Sequence, residues 1–429
     1  MKSTPRARPR HGAGWGALTP GRRALLTIAL LFHLSLLISL SAGWYQPLTF
    51  DSVATHGRRG WDFYALYQAG HNALTGVSIY ESDNDKIDVV APVYTPYRYL
   101  PFAACTVGVA LNALSPEQAY GLWGLVIEGT LLACAITSWR LAREPNRGAL
   151  LASMWLLYTP LYLEFYLGQF TLVQAAFVWA MLLACRTGWT RRADVWWTLS
   201  LLWKQNTALL APLYLRQRRF GALALIGLLV LAASLPYWLA MPGSWADFAQ
   251  NLSAVPGHQL GNLGVRQWLY SLASWLAPHW SPSGHIWLGR IWVLVVIMMS
   301  ALATLRAPRD EAPALLCLWL TTYFLTYHDV WEHHYVLALP LCVWLVHQHG
   351  SRWVLVCWTL LAIWTPYILI DPTGRAAVDA AMRWTPLSPP WLDVIYHSAK
   401  ALPILALWGW QVWQLARQRR PCSPDCATT

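Results

Sequence analysis

Charge is what this chain has least of. Only 12% of its 429 residues are Asp, Glu, Lys or Arg, against ~25% in soluble domains. Apolar runs of about span length, with almost no charge inside them, exclude a soluble enzyme and mean a polytopic membrane protein. Also missing are the glycine-rich phosphate loops, G-x-G-x-x-G and the P-loop, which argues against a nucleotide-sugar site. Among the eight cysteines there is no CxxC and no metal-like Cys/His spacing. Cys105, Cys134, Cys185, Cys317, Cys342 and Cys357 sit inside apolar runs, as small buried residues do. No internal repeat or soluble domain interrupts the chain.

What the chain does have is aromatic and basic. Trp alone accounts for 29 residues, more than the headgroup belts of a bilayer use, so many must line protein interior. The net charge of +11 comes from short Lys/Arg runs between apolar segments. That is the positive-inside pattern, a signal of orientation and not of nucleic-acid binding.

Residues 1–23, with Lys2, Arg6, Arg8, Arg10, Arg22 and Arg23 and no acid, read as a cytoplasmic tail. Ala24–Gly43 reads as an uncleaved span, and residues 44–98 as a first external loop rich in acids, from Asp51 to Asp88. One membrane domain, 24–416, then holds about 11–13 transmembrane or re-entrant segments, followed by a basic tail, 417–429. Two places resist simple counting. If Leu100–Leu114 and Ala119–Trp139 both cross, the cluster Arg140, Arg143, Arg147 ends up outside, so either Leu100–Leu114 is re-entrant or the charge rule fails. Val195–Leu215 lies between two basic clusters, which predicts a broken or re-entrant pair centred on Trp203-Lys204-Gln205-Asn206.

Within this topology the isolated polar residues gather toward the external side: Asp62, Gln169, Lys204, the Gln259–Arg266 stretch with Asn262, and His333/His334 beside Glu332. Each has a plain explanation. Asp62 and Gln169 can cap helices, Lys204 can snorkel, and the histidines can solvate a helix start. Together they suggest an outward-facing cavity, because polar groups at membrane depth are costly unless paired or hydrated. Asp62 opens the pattern Phe63, Leu66, Tyr67, Gly70, Leu74, which predicts an amphipathic, interfacial helix stopping at Gly76. A carboxylate can accept a proton from a hydroxyl, and lysine and histidine can hold a departing phosphate. That set suits sugar transfer from a lipid phosphate. Adjacent histidines on a helix diverge by about 100°, unlike the i,i+4 pair of a helical zinc site. Intramembrane charge and broken spans would also serve a transporter or flippase of a lipid-linked or small anionic solute, although no two related halves are visible.

The order of motifs resembles glycosyltransferase family 87. It runs Asp62-Phe63-x-Ala65-x-Tyr67-x-Ala69 through Gly76 and Tyr80, Tyr99-x-Pro101, Gly168-Gln169, Lys204, Gln259 with Asn262 and Arg266, and Trp331-Glu332-His333-His334-Tyr335. The resemblance implies an all-α bundle of GT-C architecture in a bacterial cytoplasmic membrane, both termini inside and the active site facing out. It implies an inverting, α-mannosyltransferase-like reaction from a polyprenyl-phosphate sugar to a lipid-linked or glycan acceptor, with no cofactor named. Asp62 would be the general base. Lys204 with His333 or His334 would hold the donor phosphate, and Tyr80, Gln169, Gln259, Asn262, Arg266 and Glu332 would contact substrate. The chain departs from the family where a proline usually follows the lysine, since Gln205 stands there.

Overall fold

The computed structural model describes residues 15–186, 190–252, 261–309, 311–371 and 389–417. Among these, regular structure is helical, and the model is that of an all-α polytopic membrane protein. Four helices are long and apolar enough to cross a bilayer unaided: Pro20–Ala42, Pro116–Leu141, Phe220–Ala240 and Ser283–Arg306. Pro145–Leu156 and Leu161–Leu167, bent by 42° at a short break, are long and apolar enough only as a pair, in the manner of a broken span or a re-entrant loop. The other apolar segments are shorter, among them Pro101–Leu111, Thr171–Cys185, Ala312–Thr326 and Arg352–Ala362. A final helix, Pro390–Arg417, begins ahead of the expected span and buries a polar stripe of Asp393, His397, Lys400 and Gln411.

The uncertain crossing resolves by length. Pro101–Leu111 covers about 16 Å at 1.5 Å per residue, half a hydrocarbon core. It turns back against the Trp61–Thr75 helix instead of crossing. Pro116–Leu141 alone then makes the traverse, which brings Arg140–Arg147 to the end where the first helix starts. A contact fixes this, because the Thr19 amide donates to Asn146 Oδ1 at 2.9 Å. The charge rule therefore holds.

Val195–Leu215 is re-entrant, as its flanking charges predict. The Arg191–Trp203 helix stops at Lys204, whose backbone is extended (φ −153°, ψ 111°), and a 3-10 turn, Gln205–Leu210, leads back. Asp194 near the start pairs with both terminal nitrogens of Arg219 beyond the return, at 2.8 and 2.7 Å. Trp197 Nε1 donates to Thr207 O at 2.9 Å across the hairpin. The descending arm of 13 residues is about 20 Å long, which puts Lys204 deep in the bundle at the hairpin's tip.

Trp61–Thr75 forms with Gly76 as its left-handed C-cap, as expected, and most of it is covered by other parts of the protein. Phe63 through Gly70 are all buried. Its polar side chains are taken up by the loop that follows. Gln68 Oε1 accepts from the Val90 and Ala91 amides, and Asn72 Nδ2 donates to Ser78 O and Glu81 O. What reads as a water-facing stripe in the sequence is the face that holds residues 78–91 in place.

Candidate active site

The site assembles where four chain segments meet. The first is the start of the Trp61–Thr75 helix. Its N-cap is Gly60, in the left-handed region at φ 81°, and no side chain caps it. Asp62 is thus not the cap. As the second helical residue, it turns its carboxylate outward, where Oδ1 accepts from Thr95 Oγ1 at 2.9 Å and Oδ2 accepts from Gln169 Nε2.

Gln169 comes from the second segment, the tip between Leu161–Leu167 and Thr171–Cys185. Gly168 there has φ 64°, and a Cβ on it would lie 2.4 Å from Phe63 Cβ. Only glycine lets this tip press against the residue next to Asp62. Trp123 Nε1 holds the tip from the third side, donating to Gly168 O at 3.1 Å and Gln169 O at 3.3 Å.

The third segment is the re-entrant tip. Lys204 is 5% exposed; its Nζ donates to Thr171 Oγ1 at 3.2 Å and stands 5.3 Å from the Tyr99 ring centroid. Gln174 fixes the turn from below, donating to Lys204 O at 2.7 Å and to Asn206 Oδ1 at 2.5 Å. This side-chain clamp occupies the stretch where the family expects proline. The charge on Lys204 is opposed by Glu164 and Asp62 nearby; Glu164 is fully buried and accepts from the Leu172 amide at 2.9 Å.

The fourth segment is the 3-10 turn Glu332–Ala338. The rings of His333 and His334 lie 4.3 Å apart. His334 Nδ1 accepts from the Trp331 amide at 3.0 Å, whereas His333 Nδ1 is buried without a partner among the described residues. Arg98 ties this segment to the Thr95 strip through Asp329, 3.4 Å away. Burial lifts the Asp62 carboxyl above the ordinary carboxylate range, while Thr95, Arg98, Lys204 and Gln169 pull it back down. Asp51, in the short Phe50–Ala54 helix, is lifted further by burial and then by repulsion from Asp62 and Glu332.

Asp62, Gln169, Lys204 and the two histidines therefore converge, as the sequence pattern suggests, with Lys204 in electrostatic reach of Asp62 and both histidines. The other residues named from the sequence have protein partners of their own. Glu332 faces Lys400 at 3.6 Å, and Lys400 also donates to Leu361 O and Ile363 O at the end of the Arg352–Ala362 helix. Asn262 donates to His328 O at 2.6 Å and accepts from the Gly264 and Val330 amides, which stitches its loop to the histidine segment. Tyr80 donates to Tyr99 O at 2.8 Å from within an aromatic cluster, one step behind the Lys204 contact. Arg266 reaches Tyr270 at 3.2 Å, and Gln259 lies outside the described residues. Thr95, Arg98, Asp51 and Glu164 were not singled out by the sequence, whereas Tyr99 entered it in the motif Tyr99-x-Pro101. The one hint was Arg98, a base in an acidic loop. Among the described residues no group of three or more His, Cys, Asp or Glu side chains is arranged to hold a metal.

A sequence model of glycosyltransferase family 87 matches residues 94–327, more than half of the chain. The chain belongs to glycosyltransferase family 87. No curated protein matches it. Membership makes this membrane protein a glycosyltransferase and sets the transporter reading aside. The matched region of this family 87 enzyme contains Thr95, Arg98, Gln169 and Lys204; Asp62 and the histidine pair lie on either side of it.

Proposed function

We propose that this enzyme transfers a hexose, mannose by the family resemblance, from a polyprenyl-phosphate donor to a lipid-linked or glycan acceptor at the external face of the membrane, with Asp62 as general base. The observation that carries the reading is a buried carboxylate, Asp62, held by two neutral donors and within electrostatic reach of two cations. Asp62 takes the proton of the acceptor hydroxyl as that oxygen attacks the anomeric carbon; the bond from that carbon to the phosphate oxygen breaks, and polyprenyl phosphate departs. Inversion follows from the single displacement. Burial supports the base role, because a raised carboxyl is the better proton acceptor. Lys204 and Arg98 balance the leaving phosphate's charge. Each histidine keeps a ring nitrogen for the donor: His333 Nδ1 has no partner among the described residues, and with His334 Nδ1 accepting from the Trp331 amide the proton of His334 sits on Nε2.

Asp62→Asn keeps the shape and removes the base. Transfer from radiolabelled polyprenyl-phosphate mannose should fall at least a thousandfold with normal membrane insertion, and full activity would sink the assignment. Lys204→Ala should raise the donor KM or lower turnover; unchanged values for both would remove Lys204 from the site.

A further inference from the structure

Beside the Asp62 helix start, the first external loop shapes an open pocket of about 330 Å³ whose lining includes Trp61, Ser82, Asn84, Val93, Tyr94 and Pro96. The sequence reading gave these residues no role. Two of the lining positions are covalent neighbours of the site. Trp61 precedes Asp62, and its carbonyl accepts from the Thr95 amide at 3.2 Å. Val93, Tyr94 and Pro96 face the cavity, while Thr95 between them turns the other way to Asp62. The strip 93–96 is thus a shared wall.

The lining pairs flat aromatic and proline surfaces with hydroxyl and amide groups. Tyr94 Oη donates to Asn84 Oδ1 at 2.6 Å. The Trp61 indole N–H is buried without a partner among the described residues. The surroundings select by charge. Residues 81–88 hold Glu81, Asp83, Asp85 and Asp88 against Lys86 alone, so an anion is repelled here. The cations Arg98 and Lys204 lie beyond the strip, beside Asp62. Aromatic faces with neutral polar groups and an acidic rim fit an uncharged polyhydroxylated ring, and the volume admits one or two sugar residues.

We infer that this pocket is an acceptor subsite: it seats a neutral saccharide unit of the acceptor, and a neighbouring unit crosses the edge of the 93–96 strip to bring the reacting hydroxyl to Asp62 on the side of the anionic donor. The inference rests on the transfer reaction proposed above and adds the acceptor's chemical class and seat.

The test uses the full chain in detergent, with saturation-transfer NMR against methyl glycosides of mannose, glucose, galactose and arabinose, and mannose 1-phosphate as the anionic control. A neutral glycoside should receive saturation, reduced at least fivefold in Trp61→Ala and in Asn84→Ala, and retained in Asp62→Asn. Asn84 is an exposed rim residue outside the buried core, with Tyr94 as its described side-chain partner. No signal from any neutral glycoside, a stronger signal from mannose 1-phosphate, or signals unchanged in both variants would overturn the inference. In a transfer assay with polyprenyl-phosphate mannose, Asn84→Ala should raise acceptor KM at least fivefold with donor KM unchanged. Transfer with an unaltered acceptor KM overturns the subsite and leaves the donor reading standing. Saccharide binding with no transfer by the wild type overturns the donor reading and leaves the subsite standing.

Discussion

Asp62 owes its usefulness to what surrounds it. A carboxylate at a helix start is usually a cap, and capping would hold it low and occupied. Here Gly60 takes the cap position and frees the side chain. Burial then raises its proton affinity, and Thr95 and Gln169 restrain the rise. As the proposed general base, Asp62 must be ionised to work, so activity should be present above its folded pKa and lost as pH falls through it, with that acid limb above the ordinary carboxylate range. Thr95→Val removes a hydrogen bond to a charged group, worth about 1.5–3 kcal/mol, and one pKa unit is about 1.36 kcal/mol. The acid limb of kcat should therefore move up by roughly one to two pH units, read from initial rates across pH. An unmoved limb would mean that Thr95 does not act on the base.

At the scale of the element, the site depends on two interrupted helices meeting one intact one. The Gly168 tip touches Phe63 so closely that a methyl group has no room. Gly168→Ala combines a left-handed backbone cost of about 1–2 kcal/mol with overpacking of about 1–3 kcal/mol. It should lower the thermal midpoint in detergent and displace Gln169 from Asp62, with activity falling further than stability explains. Both interruptions were legible in the sequence: Gly168-Gln169 between two apolar runs, and Lys204 between two basic clusters. The long apolar helices were legible for the same reason, since hydrocarbon thickness acts on local composition. The partners of Asn262, Glu332 and Tyr80 were not. Each is a polar residue in a loop, and whether it meets substrate or a distant backbone carbonyl depends on contacts 19 to 68 residues away in sequence. Thr95 was missed because a lone threonine carries no pattern.

Across the whole molecule, the histidine segment is anchored from the far end of the chain. Lys400, fully buried in the last helix, pairs with Glu332 and caps the Arg352–Ala362 helix. Removing one partner of a buried pair leaves an uncompensated charge and costs about 3–5 kcal/mol. Lys400→Met should therefore lower the unfolding midpoint markedly, whereas Lys400→Met with Glu332→Gln should recover much of the loss. If the double variant fares no better than the single one, the pair is not what holds this segment.

The shared wall at residues 93–96 has a mechanical consequence. One face of it seats Tyr94 and the other carries the Thr95 hydroxyl to Asp62, and an extended strip this short cannot move one face without the other. Whatever presses on Tyr94 tugs on the hydrogen bond that tunes the carboxylate. The strip acts as a lever, and the strength of the base is thereby tied to whether its partner has arrived.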